Sequence, residues 1–196
     1  MQIDRKSAFT LIELLMVIGI VGFLVGILIP TVSAVKRQAK VAASKSQLSQ
    51  YVNAIQLFKG EYGYYPFADA HVNSDANINS LPDINSLSDN FIQTLSGRDA
   101  TDGGSERVGD NRRKIEFHGF SVAEFYSQPD GTVDPTKVAD RFNNTNIYIV
   151  IDGDGDGQIK VPSPSDVSSS QVLRTTVTAY VKADDNNGYP AYYLYD

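Results

Sequence analysis

The chain of 196 residues contains no cysteine and no tryptophan, and its two histidines, His71 and His118, are far apart. Without cysteine there are no disulfide staples, no thiolate ligands for zinc or iron–sulfur clusters, and no thiol nucleophile. Two separated histidines leave little for a histidine-rich metal centre or a Ser–His–Asp arrangement. Positive charge is also short, with 17 Lys and Arg against 23 Asp and Glu and a net charge of -6. That balance argues against nucleic acid as the main partner, which calls for a basic face. No Gly-x-Ser-x-Gly, phosphate loop or metal-binding His motif is present, so the chain is read as a non-enzyme. What it does have is 42% hydrophobic residues, enough for a buried core. They are spread unevenly, because many sit in one early run.

That run is Phe9 to Ile29, FTLIELLMVIGIVGFLVGILI, with a single charge at Glu13. As a helix it would reach about 31 Å, the thickness of a bilayer's hydrocarbon core. A secretory signal peptide would have a shorter apolar core and a small-residue cleavage site after it. A buried core helix is seldom so long and so uniformly apolar. A membrane-spanning helix fits best. Arg5 and Lys6 precede it, whereas Lys36, Arg37, Lys40 and Lys45 follow it. Counted plainly, those charges favour the C-terminal side as cytoplasmic. Glu13 is costly inside a bilayer, roughly 2.5–3.5 kcal/mol at a helix centre and less near an end. It either snorkels to the headgroups or awaits a positive partner in an assembly, such as a free amine four residues earlier on a neighbouring copy.

Lys6-Ser7-Ala8 followed by Phe9-Thr10-Leu11-Ile12-Glu13-Leu14 resembles the cleavage and methylation site of type IV pilin-like proteins. The resemblance implies that a prepilin peptidase cuts between Ala8 and Phe9 and methylates the new amine of Phe9. Gly is usual before the cut, and Ala8 departs from that pattern. The resemblance also implies a leader in the cytoplasm and a C-terminal domain outside, opposite to the plain charge count. Pro30 closes the apolar run, where it lacks a backbone donor and crowds the preceding turn. A plain kink at the membrane surface and the stretchable joint of pilin-like helices fit it equally.

Beyond Pro30 the pattern turns amphipathic. Val41, Leu48, Val52, Ile55 and Phe58 form a helical stripe, which predicts one helix from about Phe9 to about Lys59. Gly60, Gly63 and Pro66 are its expected stop. Glu61-Tyr62-Gly63-Tyr64-Tyr65-Pro66 resembles the helix end of the major pseudopilins of type II secretion. Residues 69–90 read as a polar loop, and Ser88 or Asp89 as the cap of a short helix carrying Phe91, Ile92 and Leu95 and ended by Gly97. Residues 98–113 read as loop, with Arg112-Arg113-Lys114 a solvated basic cluster. Strands are expected weakly at Lys114–Phe117, most clearly at Asn146–Ile151, then at Val172–Val181 and Pro190–Tyr195. Asp140-Arg141-Phe142-Asn143-Asn144 stands where many pseudopilin-like proteins carry an Asp-Pro-Trp-Gly-Asn turn. His71 and His118 are read as surface residues. The fold class is therefore α+β: a pilin-like fold in which a long N-terminal helix packs on a small antiparallel sheet. The expected division is a leader at 1–8, a transmembrane and assembly helix at 9–30, and a globular domain at 31–196.

Asp152-Gly153-Asp154-Gly155-Asp156-Gly157-Gln158 follows the clearest strand. Carboxylates at alternate positions with Gly between them resemble the opening of a calcium loop. Asp152, Asp154 and Asp156 would ligate through side chains and Gln158 through its backbone carbonyl, with Asp184 or Asp185 available to complete the shell. Ser163 occupies the twelfth position instead of a bidentate Glu, so the loop is not an EF-hand. An Asp-Gly turn without an ion is the alternative. Calcium is favoured because three carboxylates this close repel one another without a cation.

Together the resemblance implies a type II secretion pseudopilin: a bacterial inner-membrane, single-pass subunit with its C-terminal domain in the periplasm. Membrane lipid would surround it before assembly. It would then polymerise with itself and other pseudopilins, after prepilin peptidase processing and at an inner-membrane secretion platform. The alternatives are a type IV pilus pilin, serving adhesion, motility or DNA uptake, and a membrane-anchored calcium-binding module.

Overall fold

A computed structural model describes residues 10–66, 76–77, 88–98, 111–164 and 169–195. The chain divides into two compact units within its first helix, at Lys40/Val41.

Helix α1 runs from Leu11 to Tyr62. Its start is capped locally. The Thr10 hydroxyl accepts from the Glu13 N–H, and the Glu13 carboxylate accepts from the Thr10 N–H and hydroxyl at 2.9 and 2.8 Å. This reciprocal pairing satisfies donors that the first helical turn leaves open. In the first unit the apolar side chains from Leu11 to Ile29 are exposed throughout, Leu11 by 87% and Phe23 by 69%. The helix passes through residue 30 without a break. Pro30 brings no N–H to the helical ladder, and the Thr31 hydroxyl donates to the Ile27 and Leu28 carbonyls at 2.8 and 2.9 Å.

In the second unit α1 buries Ser44, Gln47, Leu48, Tyr51, Ala54, Ile55 and Phe58, a three-and-four spacing that makes one continuous face. Gly60 does not end the helix. The break comes at Gly63, whose φ of 80° and N–H to the Lys59 carbonyl (2.8 Å) form a left-handed cap. Tyr62 anchors this end, its hydroxyl donating to Asn111 Oδ1 at 2.7 Å and accepting from the Arg113 N–H at 2.9 Å. Arg113 also pairs with Glu61.

The principal sheet has four antiparallel strands in the order β1, β4, β7, β8. These are β1 (Ala76–Asn77), β4 (Ile147–Ile151), β7 (Val177–Val181) and β8 (Tyr192–Tyr193). Period-two alternation sends Ile147, Ile149 and Ile151 of β4, with Val177, Ala179 and Val181 of β7, into one core with Leu48, Tyr51 and Ile55. Helix α2 (Ser88–Ser96) adds Phe91, Ile92 and Leu95 to that core. The other sheet face is also covered. A hairpin of β5 (Ile159–Pro162) and β6 (Ser170–Leu173), inserted between β4 and β7, places Ile159 and Val161 against Val150, Tyr180 and Tyr193. Tyr148, directly opposite Tyr180 in the register, stacks on it with centroids 5.1 Å apart. A second hairpin, β2 (Phe125–Ser127) with β3 (Val133–Val138), follows a 3-10 turn at Val122–Glu124.

The α+β expectation matches this architecture, but several local readings do not. Lys114–Phe117 is not a strand; Lys114 sits at φ 54°, a turn conformation that ends extended structure. Val172–Val181 is two strands separated at Arg174–Thr176, because a turn there swings β6 away from the sheet. The two hairpins were not anticipated. His118 is not a surface residue: it is 8% exposed, held in the interior by Glu124. His71 and most of the polar loop at 69–90 lie outside the described residues.

Candidate functional site

Two places carry the residues singled out in the sequence, and the structure adds a third. The first is the start of α1. Ala8 and Phe9, the expected processing pair, lie outside the described residues. Glu13 is on the first helical turn, where its carboxylate is occupied by Thr10 of its own chain. Around it the apolar side chains from Leu11 to Ile29 stay exposed. Among the described residues, α1 is one helix long and apolar enough to cross a membrane.

The second place is the acidic loop between β4 and β5. Two glycines shape it: Gly155 and Gly157 both stand at φ 77°, where a side chain would be strained. Asp152 is 4% exposed, and its two oxygens accept from the N–H groups of Gly155 (2.7 Å) and Gly157 (3.0 Å). Asp154 accepts from Asp156 N–H at 3.2 Å, and Asp156 from Gln158 N–H at 2.7 Å. The loop is tied back to the β6–β7 corner by the Asp152 N–H bond to the Thr176 carbonyl, 2.8 Å. One carboxylate oxygen from each of Asp152, Asp154 and Asp156 lies within 4.8 Å of the others. Oxygen-only donors at that spacing suit a hard cation such as calcium. Strands flank the loop, in keeping with the reading that it is no EF-hand. Asp184 forms a turn of its own, accepting from Asn186 N–H and from the Asn187 side chain at 3.1 and 2.8 Å. It lines a separate cleft of about 710 Å³ with Tyr126, Lys137 and Tyr189.

The third place, missed in the sequence, is a buried polar chain joining α1 to the segment before β2. Gln47 Nε2 donates to the Tyr51 hydroxyl at 2.8 Å and to the Ala139 carbonyl at 2.9 Å. Tyr51 donates to Glu124 Oε2 at 2.8 Å, and His118 Nε2 lies 2.8 Å from the same oxygen. Ser121 contributes its N–H and hydroxyl to the other oxygen. Burial pushes the Glu124 pKa up, but the bonds from His118, Ser121 and Tyr51 outweigh it and leave the carboxyl at about 2. Burial and the neighbouring Glu124 charge push the Tyr51 hydroxyl well above its ordinary value. Beside this chain the Asp140–Asn144 turn is fully built. Asp140 accepts from Phe142 and Asn144 N–H groups at 2.7 and 2.8 Å, and from the Tyr192 hydroxyl at 2.5 Å. Asn143 takes φ 68° at the position where the resembling turn carries Gly. Both networks tie α1 and β8 to the loops around β2, and Gln47 Oε1 is the one buried side-chain oxygen among the described residues that they leave without a partner.

The comparisons bear on the first of these places. Residues 3–29 match the family model described as the prokaryotic N-terminal methylation motif. The N-terminal segment carries that motif. The match spans Ala8, Phe9 and Glu13 and stops one residue short of Pro30. The chain is also similar to the type II secretion system core protein G of Pseudomonas aeruginosa. The two are 35% identical over 66 residues, which is 34% of this chain and 46% of that protein. The chain thus spans about half the length of the curated relative it matches. No solved structure matches.

Proposed function

We propose that the chain is a pseudopilin, a structural and non-catalytic subunit of a type II secretion filament. In this reading the leader is cut between Ala8 and Phe9 and the new amine is methylated by a prepilin peptidase. The subunit waits in the inner membrane with its C-terminal domain in the periplasm, and polymerises with copies of itself and with other pseudopilins at a secretion platform. The observation that carries it is the coincidence of the methylation motif at 3–29 with an apolar helix exposed on all sides. Lipid solvates that helix before assembly, and identical helices solvate one another afterwards. Glu13 then exchanges its Thr10 donors for the Phe9 amine of an adjacent copy, which sets the axial register. The similarity to core protein G favours a secretion pseudopilus over a type IV pilus. Intact-mass and N-terminal peptide mass spectrometry of the protein from its own membranes is the test. A chain beginning at methylated Phe9 is expected; a chain that retains Met1 would overturn the reading.

The acidic loop is proposed to bind calcium through Asp152, Asp154 and Asp156, with Gln158 adjacent. An ion there would cancel the repulsion of three carboxylates and fix the corner from which the β5–β6 hairpin folds over the sheet. Chelation of the detergent-solubilised chain is expected to lower its thermal midpoint by several degrees, and calcium to restore it. A midpoint indifferent to both would remove the ion from the account.

A further inference from the structure

We infer that the cations just beyond the apolar run, Lys36, Arg37 and Lys40, are a docking site for the headgroups of anionic phospholipids. The inference rests on the membrane-inserted reading proposed above and adds a lipid class to it.

Charge in this chain is segregated. Up to residue 45 there are six Lys and Arg against two Asp and Glu; from residue 46 onward there are eleven against twenty-one. An acidic protein therefore keeps a basic band next to its membrane segment. Lys36, Arg37 and Lys40 are all exposed, and among the described residues neither Lys36 nor Arg37 pairs with a carboxylate. At 1.5 Å per residue, Lys36 and Arg37 stand about 10–12 Å beyond Ile29 along the helix. Helical side chains lean toward the N-terminus, so these long chains reach back to the headgroup layer while their stems cover apolar surface. Lys40 lies one turn further on, on the same face as Lys36. Val25, Leu28, Ile29 and Val32 also line an open groove of about 360 Å³, with Ser33 and Lys36 at its polar end. An apolar channel that ends on a hydroxyl and an ammonium has the polarity of a phospholipid, acyl chain first and phosphate last. The acidic surface of a second copy would match the charge but would not explain the apolar channel leading to it.

The test uses the full chain reconstituted in vesicles of phosphatidylethanolamine, with and without phosphatidylglycerol, then released into mild detergent for native mass spectrometry. The wild type should resist alkaline extraction and retain phosphatidylglycerol above its share of the vesicle. The variant carrying Lys36→Gln, Arg37→Gln and Lys40→Gln should insert equally well but lose that enrichment, by about fivefold per charge removed at low salt. The variant carrying Lys36→Arg, Arg37→Lys and Lys40→Arg should keep it. An inserted wild type with no enrichment, or a neutral variant enriched like the wild type, would overturn the inference while leaving the membrane reading intact. Cross-links from these residues to acids of a second copy, unchanged by lipid composition, would overturn it in favour of that occupant. Release of the wild type by alkali would show that the membrane reading itself fails, and the inference falls with it.

Discussion

Glu124 holds a charge in the interior at the cost of its hydration, and four donors around it offset that cost. Tyr51, His118 and the two groups of Ser121 reach it directly, while Gln47 orients Tyr51 from behind. Because the folded carboxyl titrates at about 2 and not at its ordinary 4.5, the ionised form stabilises the fold above about pH 4.5. That contribution is lost as pH falls from 4.5 toward 2, and it amounts to about 3 kcal/mol at most. Glu124→Gln should therefore lower the thermal midpoint at neutral pH and flatten its fall in the acid range. Tyr51→Phe should cost about 1–3 kcal/mol, since it removes one of the two donors to a buried carboxylate oxygen of Glu124 and strands a donor on Gln47. Midpoints followed by circular dichroism from pH 7 to acid check both, and an unchanged acid limb in Glu124→Gln would place the pH dependence elsewhere. None of this chain was legible in the sequence. His118 and Glu124 are six residues apart, a spacing with no periodic signature, and a lone His at the end of a weak strand pattern, between Phe117 and Gly119, carries no local sign of the carboxylate that buries it.

At the scale of elements, legibility followed the range of the interaction that decides each one. The long helix, the core stripe of Leu48, Ile55 and Phe58, and α2 with its Gly97 stop were readable because apolar period and capping act within a few residues. The strand β4 was readable because five β-branched or aromatic residues run together. By contrast, the β2–β3 hairpin carries Pro135 and few apolar residues, and it is held by Asn143, whose side chain exchanges two hydrogen bonds with the Ser127 backbone at 2.8 Å. The break between β6 and β7 depends on the hairpin finding its seat over Tyr180, which no local pattern encodes. The acidic loop was located by its spacing, whereas the turn formed by Asp184 depends on its own asparagines. Glycine shows the same division. Gly60 lies within α1 with nothing within 4 Å of an added Cβ, so Gly60→Ala should stabilise by about 0.5–1 kcal/mol. Gly97 stands at φ 67°, and an added Cβ would fall 2.7 Å from the Lys114 carbonyl carbon. Gly97→Ala should thus cost about 2–4 kcal/mol, because it meets backbone that cannot swing aside as well as conformational strain. Thermal melts of the two variants side by side should move in opposite directions, and a neutral Gly97→Ala would mean that the 111–115 segment yields.

On the proposed pseudopilin reading, the question for the whole molecule is what an exposed apolar rod with one acid near its start does on leaving the bilayer. Within one copy Glu13 is satisfied by Thr10, so the acid serves helix initiation as well as any later pairing. Replacing Glu13 by Ala removes both roles and also the cost of carrying a carboxylate into lipid. Membrane insertion should therefore persist while filaments disappear, as read by alkaline extraction on one side and by electron microscopy of sheared cells on the other. Glu13→Gln separates the two roles. Glutamine can still reach back to the Thr10 N–H and complete the capping pair, but it brings no charge to meet a methylated amine. If register depends on the ion pair, this variant should insert with its helix intact and still fail to assemble. The amine left unpaired between apolar helices costs more than the retained cap, worth about 1 kcal/mol, can offset. Filaments in ordinary yield from Glu13→Gln would show that capping, and not charge neutralisation, is what the acid contributes.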